Sequence, residues 1–122
     1  MIRFIGCENI EANKDTIEII SQGKLIDIHN ACEFIEFSFN VSRRELSLLW
    51  DYYETERKAK KCEIILEDVI KMEISPRDEE IPFSEDTCLD KMIYNKKKSS
   101  IIFHFWGGMK IDCICKVFRF TI

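Results

Sequence analysis

From Ile35 to Val41 the chain alternates strictly. Ile35, Phe37, Phe39 and Val41 are apolar, and Glu36, Ser38 and Asn40 between them are polar. A period of two belongs to a strand, because successive side chains point to opposite faces of the pleat. The segment Glu33 to Val41 is therefore the clearest strand of the sequence. The composition leans the same way. Ile occurs 20 times and Phe 9 times, against 3 Ala. Branched and aromatic side chains suit a half-buried pleated surface, whereas Ala suits helices. The 122 residues are read as a single domain, 1–122. A chain of this size buries roughly two-thirds of its unfolded surface, enough for a core without disulfide or metal staples.

Other segments follow the same logic. Ile2 to Cys7, Thr16 to Ile20, Lys24 to Asn30, Cys62 to Ser75 and Met92 to Tyr94 read as strands. Ser21-Gln22-Gly23 reads as a turn, and Pro76 ends a ladder because it has no N–H to donate. Ile101 to Trp106, Gly107-Gly108 and Met109 onward predict a hairpin with a two-glycine turn. On the last segment the apolar positions Met109, Ile111, Cys113, Cys115 and Val117 give way to Phe118, Phe120 and Ile122. A one-residue slip flips faces, so a bulge or a change of sheet is expected near Lys116.

One stretch breaks the pattern. Ser42-Arg43-Arg44-Glu45 has the spacing of a capping box. Leu46, Leu49, Trp50 and Tyr53 follow at i, i+3, i+4 and i+7, and Arg57, Lys58, Lys60 and Lys61 close the segment. This spacing predicts one amphipathic helix over about 43–60, with Tyr52 pointing outward. The expected fold is mainly β, α+β by count. It is an antiparallel β-sandwich or partly open barrel of about eight strands with that one helix.

Charge is segregated along the chain. Residues 62–91 hold 3 basic and 10 acidic groups, while residues 92–122 hold 6 and 1. The acidic loop from Pro76 to Lys91 contains Asp78, Glu79, Glu80, Glu85, Asp86 and Asp90 around Ile81-Pro82-Phe83. Carboxylates around an apolar plug suit an interface: the ring supplies a desolvated contact, and the charges speed encounter with a cationic partner. The alternative is a solvated loop with Ile81 and Phe83 tucked into the core. Lys96-Lys97-Lys98 is the basic counterpart, but the overall net charge is −4 and the aromatics fall on core-facing positions. Nucleic-acid binding is not expected.

Catalytic and metal motifs are sparse. There is no phosphate-binding glycine loop and no serine nucleophile elbow. His104 lies between Phe103 and Phe105 and should face away from them, as an ordinary strand histidine, and His29 is read the same way. Cys113-x-Cys115 places two thiols about 6–7 Å apart on one strand face. Cys7, Cys32, Cys62 and Cys88 are isolated, so no second pair completes a zinc site. Six reduced thiols are expected, with no metal, cofactor or catalytic residue. No apolar run is long enough for a membrane span, and the first residues carry no secretory pattern.

The small size, the acidic balance, the β-rich pattern and the closing hairpin Phe103-His104-Phe105-Trp106-Gly107-Gly108-Met109-Lys110-Ile111-Asp112-Cys113-Ile114-Cys115 resemble small bacterial immunity proteins. These are the inhibitors of polymorphic and contact-dependent growth-inhibition toxins. The resemblance implies a cytoplasmic, non-enzymatic protein that binds and neutralises a cognate toxin domain, a nuclease with a cationic active site. The partner-binding residues expected on that reading are Asp78, Glu79, Glu80, Phe83, Glu85, Asp86, Asp90 and Tyr52, with the protein a monomer or weak homodimer. The alternatives are a small ligand-binding or adaptor domain without catalysis, and a thiol enzyme that would need a cysteine beside His29 or His104.

Overall fold

The computed structural model describes residues 1–55 and 57–122. In chain order the elements are β1 (Arg3–Ile5), β2 (Asp15–Thr16), β3 (Glu18–Ser21), β4 (Lys24–Asp27), α1 (Ile28–Ala31), β5 (Cys32–Asn40), β6 (Glu45–Thr55) and β7 (Lys58–Glu67). They continue with β8 (Lys71–Ser75), β9 (Leu89–Asn95), β10 (Ser100–Phe105), β11 (Lys110–Ile114) and β12 (Val117–Thr121), with a 3-10 turn at Phe83–Thr87. One five-stranded sheet has the order β1-β12-β7-β6-β5, and a second has the order β2-β9-β10-β11-β8. A two-stranded ribbon, β3-β4, stands apart. Pairing between the strands is antiparallel except for β1 with β12, which is parallel, as is the isolated bridge between Ala12 and Tyr94. Neither five-stranded sheet closes into a barrel, so the mainly β expectation holds in its sandwich form.

The two sheets pack face to face. Leu46, Leu48 and Trp50 of β6, Ile64 and Leu66 of β7, and Phe118 of β12 are fully buried on one inner face. Leu89, Met92, Ile101, Phe103 and Ile111 are fully buried on the other. Rings bridge the gap: Phe34 to Phe105 at 4.6 Å, Trp50 to Phe103 at 6.5 Å, and Phe4 to Tyr94 at 5.3 Å between centroids. Such contacts add to the burial of large apolar surface that drives the sheets together. They also fix the alignment, with β1 lying over β9 and β5 over the β10–β11 side. Among the described residues, the Trp50 indole N–H is buried without an acceptor.

The predicted helix over 43–60 is not formed. That stretch is β6, a turn and the start of β7, and Glu56 within it lies outside the described residues. The residues support two periods. Leu46, Leu49, Trp50 and Tyr53 fit 3.6, but Leu46, Leu48, Trp50 and Tyr52 fit 2.0, and these four are the buried ones. Tertiary context decides, because β6 lies between β5 and β7 and forms ladders on both sides. The apparent capping box is a hairpin turn. Asn40 Oδ1 accepts from Ser42 Oγ and from the Arg43 amide, both at 3.0 Å, and Arg44 sits at φ +52°. Two of the cations that suggested a helix end are cross-strand partners instead: Lys61 reaches Asp51 at 2.6 Å and Lys60 reaches Glu54 at 3.1 Å.

Other expectations map closely. β8 ends at Ser75, just before Pro76. Phe103 and Phe105 are buried while His104 faces away from them. The face switch near Lys116 is a change of sheet: the Cys115 amide bonds Ser99 O on one side, and the next amide, Lys116, bonds Glu67 O on the other. Among the described residues there are twelve strands rather than about eight, partly because the predicted helix became strand. In addition, Thr16–Ile20 divides between two sheets and Lys24–Asn30 ends in the single helical turn α1. Asp27 caps that turn, accepting from the Asn30 amide at 2.9 Å. Among the described residues no helix is long and apolar enough to cross a membrane.

Candidate functional site

The acidic loop crosses the end of the sandwich where β5 and β9 begin and β10 ends. It leaves β8 at Pro76 and must reach β9, which lies beyond β11 and β10 in the same sheet. It therefore passes beneath the β10–β11 turn, and the two are joined. The Asp78 amide donates to Gly107 O at 2.8 Å, and the Trp106 amide donates to Cys88 O at 2.9 Å. The glycine pair permits this approach. A Cβ on Gly107 would fall 1.9 Å from Asp86 Oδ1, and one on Gly108, at φ +93°, would fall 2.8 Å from the Asp78 nitrogen.

Arg77 organises the loop from inside. Its Nε donates to Asp86 at 2.9 Å (Oδ2) and 3.1 Å (Oδ1), and Nη2 donates to Ile81 O at 2.5 Å. The guanidinium lies 4.5 Å from the centre of the Phe83 ring. A half-buried cation thus ties the ends of the loop to its apolar middle. Asp78 Oδ1 accepts the Glu80 amide at 3.0 Å, and Ile81 N donates to Asp78 O at 3.2 Å, which closes the first bend.

The sequence-predicted residues separate into three groups. Asp78, Glu79 and Glu80 are exposed, and Phe83 is 78% exposed beside them. Glu85 and Asp90 are half-buried near Cys88. Among the described residues none of these five carboxylates forms an ion pair with a Lys or Arg of the chain. Asp86 differs: Arg77 neutralises it, so it holds the loop rather than presenting charge. Tyr52 does not join the site. On a strand rather than a helix it faces the core, 5% exposed, and Tyr53 points outward instead.

Two features escaped the sequence reading, and a third was raised there only as the alternative of a thiol enzyme. Arg77 is the sole cation between Lys71 and Lys91, and that isolation among carboxylates was the available signal. A cleft of about 310 Å³ opens beside the loop, lined by Phe34, Ile35, Arg77, Asp86, Thr87 and Met109. No local pattern could reveal it, because its walls come from three distant segments. The third feature is a Cys–His approach: Cys88 Sγ lies 3.5 Å from His29 Nδ1.

The chemistry of that pair is restrained. His29 Nδ1 also lies 2.7 Å from Leu89 O, a carbonyl that can only accept, so Nδ1 carries the proton. A protonated Nδ1 cannot serve as base to the thiol. Burial raises the Cys88 thiol above its ordinary range, and Glu85 and Asp90 raise it further. All six cysteines are free thiols, and Cys32, Cys62, Cys113 and Cys115 are buried. Burial pushes the Cys7 thiol up to about 11. No cluster of three or more metal-ligating side chains occurs among the described residues.

No known protein family, curated protein or solved structure matches the chain.

Proposed function

We propose that this protein is a non-catalytic, cytoplasmic inhibitor of the immunity-protein kind, which binds a cationic toxin domain through the loop Asp78–Asp90. The observation that carries the reading is Phe83. A phenylalanine 78% exposed is costly to hydration, and here Arg77 holds it beside Asp78, Glu79 and Glu80, which form no ion pair among the described residues. A fixed apolar anchor ringed by unpaired charge is what a tight, electrostatically steered interface requires. The preorganised loop favours affinity, because little further ordering is needed on binding. A nuclease is the favoured partner because its substrate cleft is basic, and Asp78, Glu79 and Glu80 present carboxylates where phosphates would sit.

Mixing the purified protein with the product of the neighbouring reading frame tests this. A tight complex is expected, with an association rate that falls steeply as salt rises. Replacing Glu79, Glu80 and Glu85 with Gln should slow association about tenfold at low salt, with the difference lost near 0.5 M. Phe83→Ala should leave stability within about 0.5 kcal/mol, as for an exposed site, yet weaken the complex at least about tenfold. Unchanged affinity in both variants overturns the reading.

The Cys88–His29 approach favours one rival, a thiol enzyme. That rival needs a reactive thiolate at neutral pH. Iodoacetamide should label Cys88 of the native protein no faster than a free cysteine peptide. Rapid, selective labelling of Cys88 would favour the rival.

A further inference from the structure

The sandwich is closed along one side and open along the other. Phe37 and Phe39 of β5 lie opposite Leu48 and Leu46, and Met72 and Ile74 of β8 lie opposite Cys113 and Ile111. All four partners are fully buried, so the four edge residues also face the interior. Yet Phe39 remains 37% exposed and Ile74 42%, and Phe37 and Met72 are half-buried. Among the described residues no further strand covers them, because β5 and β8 are each the last strand of their sheet. The result is a slot of inward-facing apolar side chains, flanked by the free backbone groups of two strand edges. Its lower end runs into the cleft of Ile35 and Met109 beside Arg77.

The four sheet edges are not equally guarded. β1 and β2 have three and two residues. β8 carries Lys71 and stops at Pro76. β5 has nine residues with neither Lys nor Pro, and its only irregularity is the register shift between Phe34 and Glu36. From Glu36 to Asn40 the edge is regular and unpaired on its outer side, the arrangement that accepts another strand.

Charge selects the occupant. Glu33 and Glu36 are the only charged residues of β5, and the acidic loop reaches the cleft at the lower end of the slot through Arg77, Asp86 and Thr87. On β8, Lys71 and Glu73 neutralise each other at 3.1 Å. A second copy of the chain would bring β5 against β5 and add no cation to the edge that carries Glu33 and Glu36. A strand with cations between its apolar residues supplies the opposite charge that this edge lacks.

We infer that the edge Glu36–Asn40 is a second contact of the same partner, taking by strand addition an extended cationic segment of about five residues whose alternate apolar side chains seat on Phe37, Phe39, Met72 and Ile74. The inference rests on the cationic partner proposed for the acidic loop and names how that partner is held.

The test uses the full chain, isotope-labelled, and an acetylated peptide Lys-Val-Lys-Phe-Lys-Val-Lys at up to millimolar concentration, with a backbone N-methylated version as control. Amide exchange at residues 36–40 should slow at least tenfold with the plain peptide and stay unchanged with the control. The double variant Phe39→Ser, Ile74→Ser should fold, as judged by its amide spectrum, and bind at least tenfold more weakly. Shifts confined to residues 78–85 overturn the strand contact and leave the loop reading standing. Protection at 36–40 that persists in full when Glu79, Glu80 and Glu85 are Gln sustains the strand contact and removes the loop from the interface. Protection that appears without peptide, together with a dimer in sedimentation, makes a second copy the occupant and overturns the inference. No change at either segment overturns it as well.

Discussion

At the scale of single residues, the β10–β11 turn holds the least replaceable positions near the site. Gly108 combines a left-handed backbone with a neighbouring backbone nitrogen where a Cβ would stand. Relaxation cannot relieve both constraints, so Gly108→Ala should cost about 1–3 kcal/mol in chemical denaturation. Gly23 has a similar φ of +75° but open space around it. Gly23→Ala carries the backbone cost alone and should lose less, and equal losses would show that the approach to Asp78 is not tight. The glycine pair was legible in the sequence as a turn. Its second role, as the seat of the acidic loop, was not, because it depends on a partner about thirty positions away. Phe83 was the reverse case: its residue type and its acidic neighbours suggested an anchor, and only the fold could establish that it is exposed.

At the scale of elements, Arg77 is expected to govern the loop without governing the domain. Its pair with Asp86 is partly exposed, and such pairs contribute about 1 kcal/mol or less to global stability. Arg77→Gln should therefore shift the unfolding midpoint little. Amide exchange over residues 78–87 should nevertheless quicken several-fold, because the contacts to Asp86, Ile81 and Phe83 loosen together. A global loss above about 2 kcal/mol would contradict the division between loop and domain. The same scale explains the misread helix. Leu46, Leu48, Leu49, Trp50, Tyr52 and Tyr53 offer apolar side chains at both periods, so local pattern could not arbitrate. The choice was made by β5 and β7, which β6 joins: β7 buries Cys62, Ile64 and Leu66 in alternation, and β5 holds a period of two on either side of its register shift. Assigning Glu45–Thr55 to a strand also reverses Tyr52, and that single change of period removed one residue from the candidate site. Strand assignments elsewhere were readable because Phe103–Phe105 or Cys62–Leu66 alternate with only one reasonable period.

At the scale of the molecule, the outer face of the second sheet sets a pH dependence. His104 stands across from Lys91 on one side and Lys110 on the other. Burial, followed by those two cations, lowers its pKa below the ordinary 6.5, against a weaker opposing pull from Asp90 and Asp15. The folded protein then binds fewer protons than the unfolded chain between the lowered value and 6.5, so stability rises with pH across that window and falls as acid protonates the ring. Urea midpoints measured from pH 7 to pH 5 should decline, and His104→Gln should flatten that decline. An identical slope in the variant would place the dependence elsewhere. The global architecture was only partly written in local pattern. The two-layer β class follows from alternation and composition, and the jump between layers near Lys116 follows from the shifted face. The neighbours of each strand do not, because pairings such as Arg3 with Val117 join positions that no local window contains. That last pairing has a consequence for biosynthesis. β1 emerges from the ribosome before the other described strands, yet among the described residues its ladder partner is β12, the last of those strands to be made. Until residues 117–121 have cleared the exit tunnel the first sheet lacks an interior member. Its apolar inner face stays open to nascent-chain chaperones, and folding is expected to be slow and to begin only after synthesis of the domain is complete.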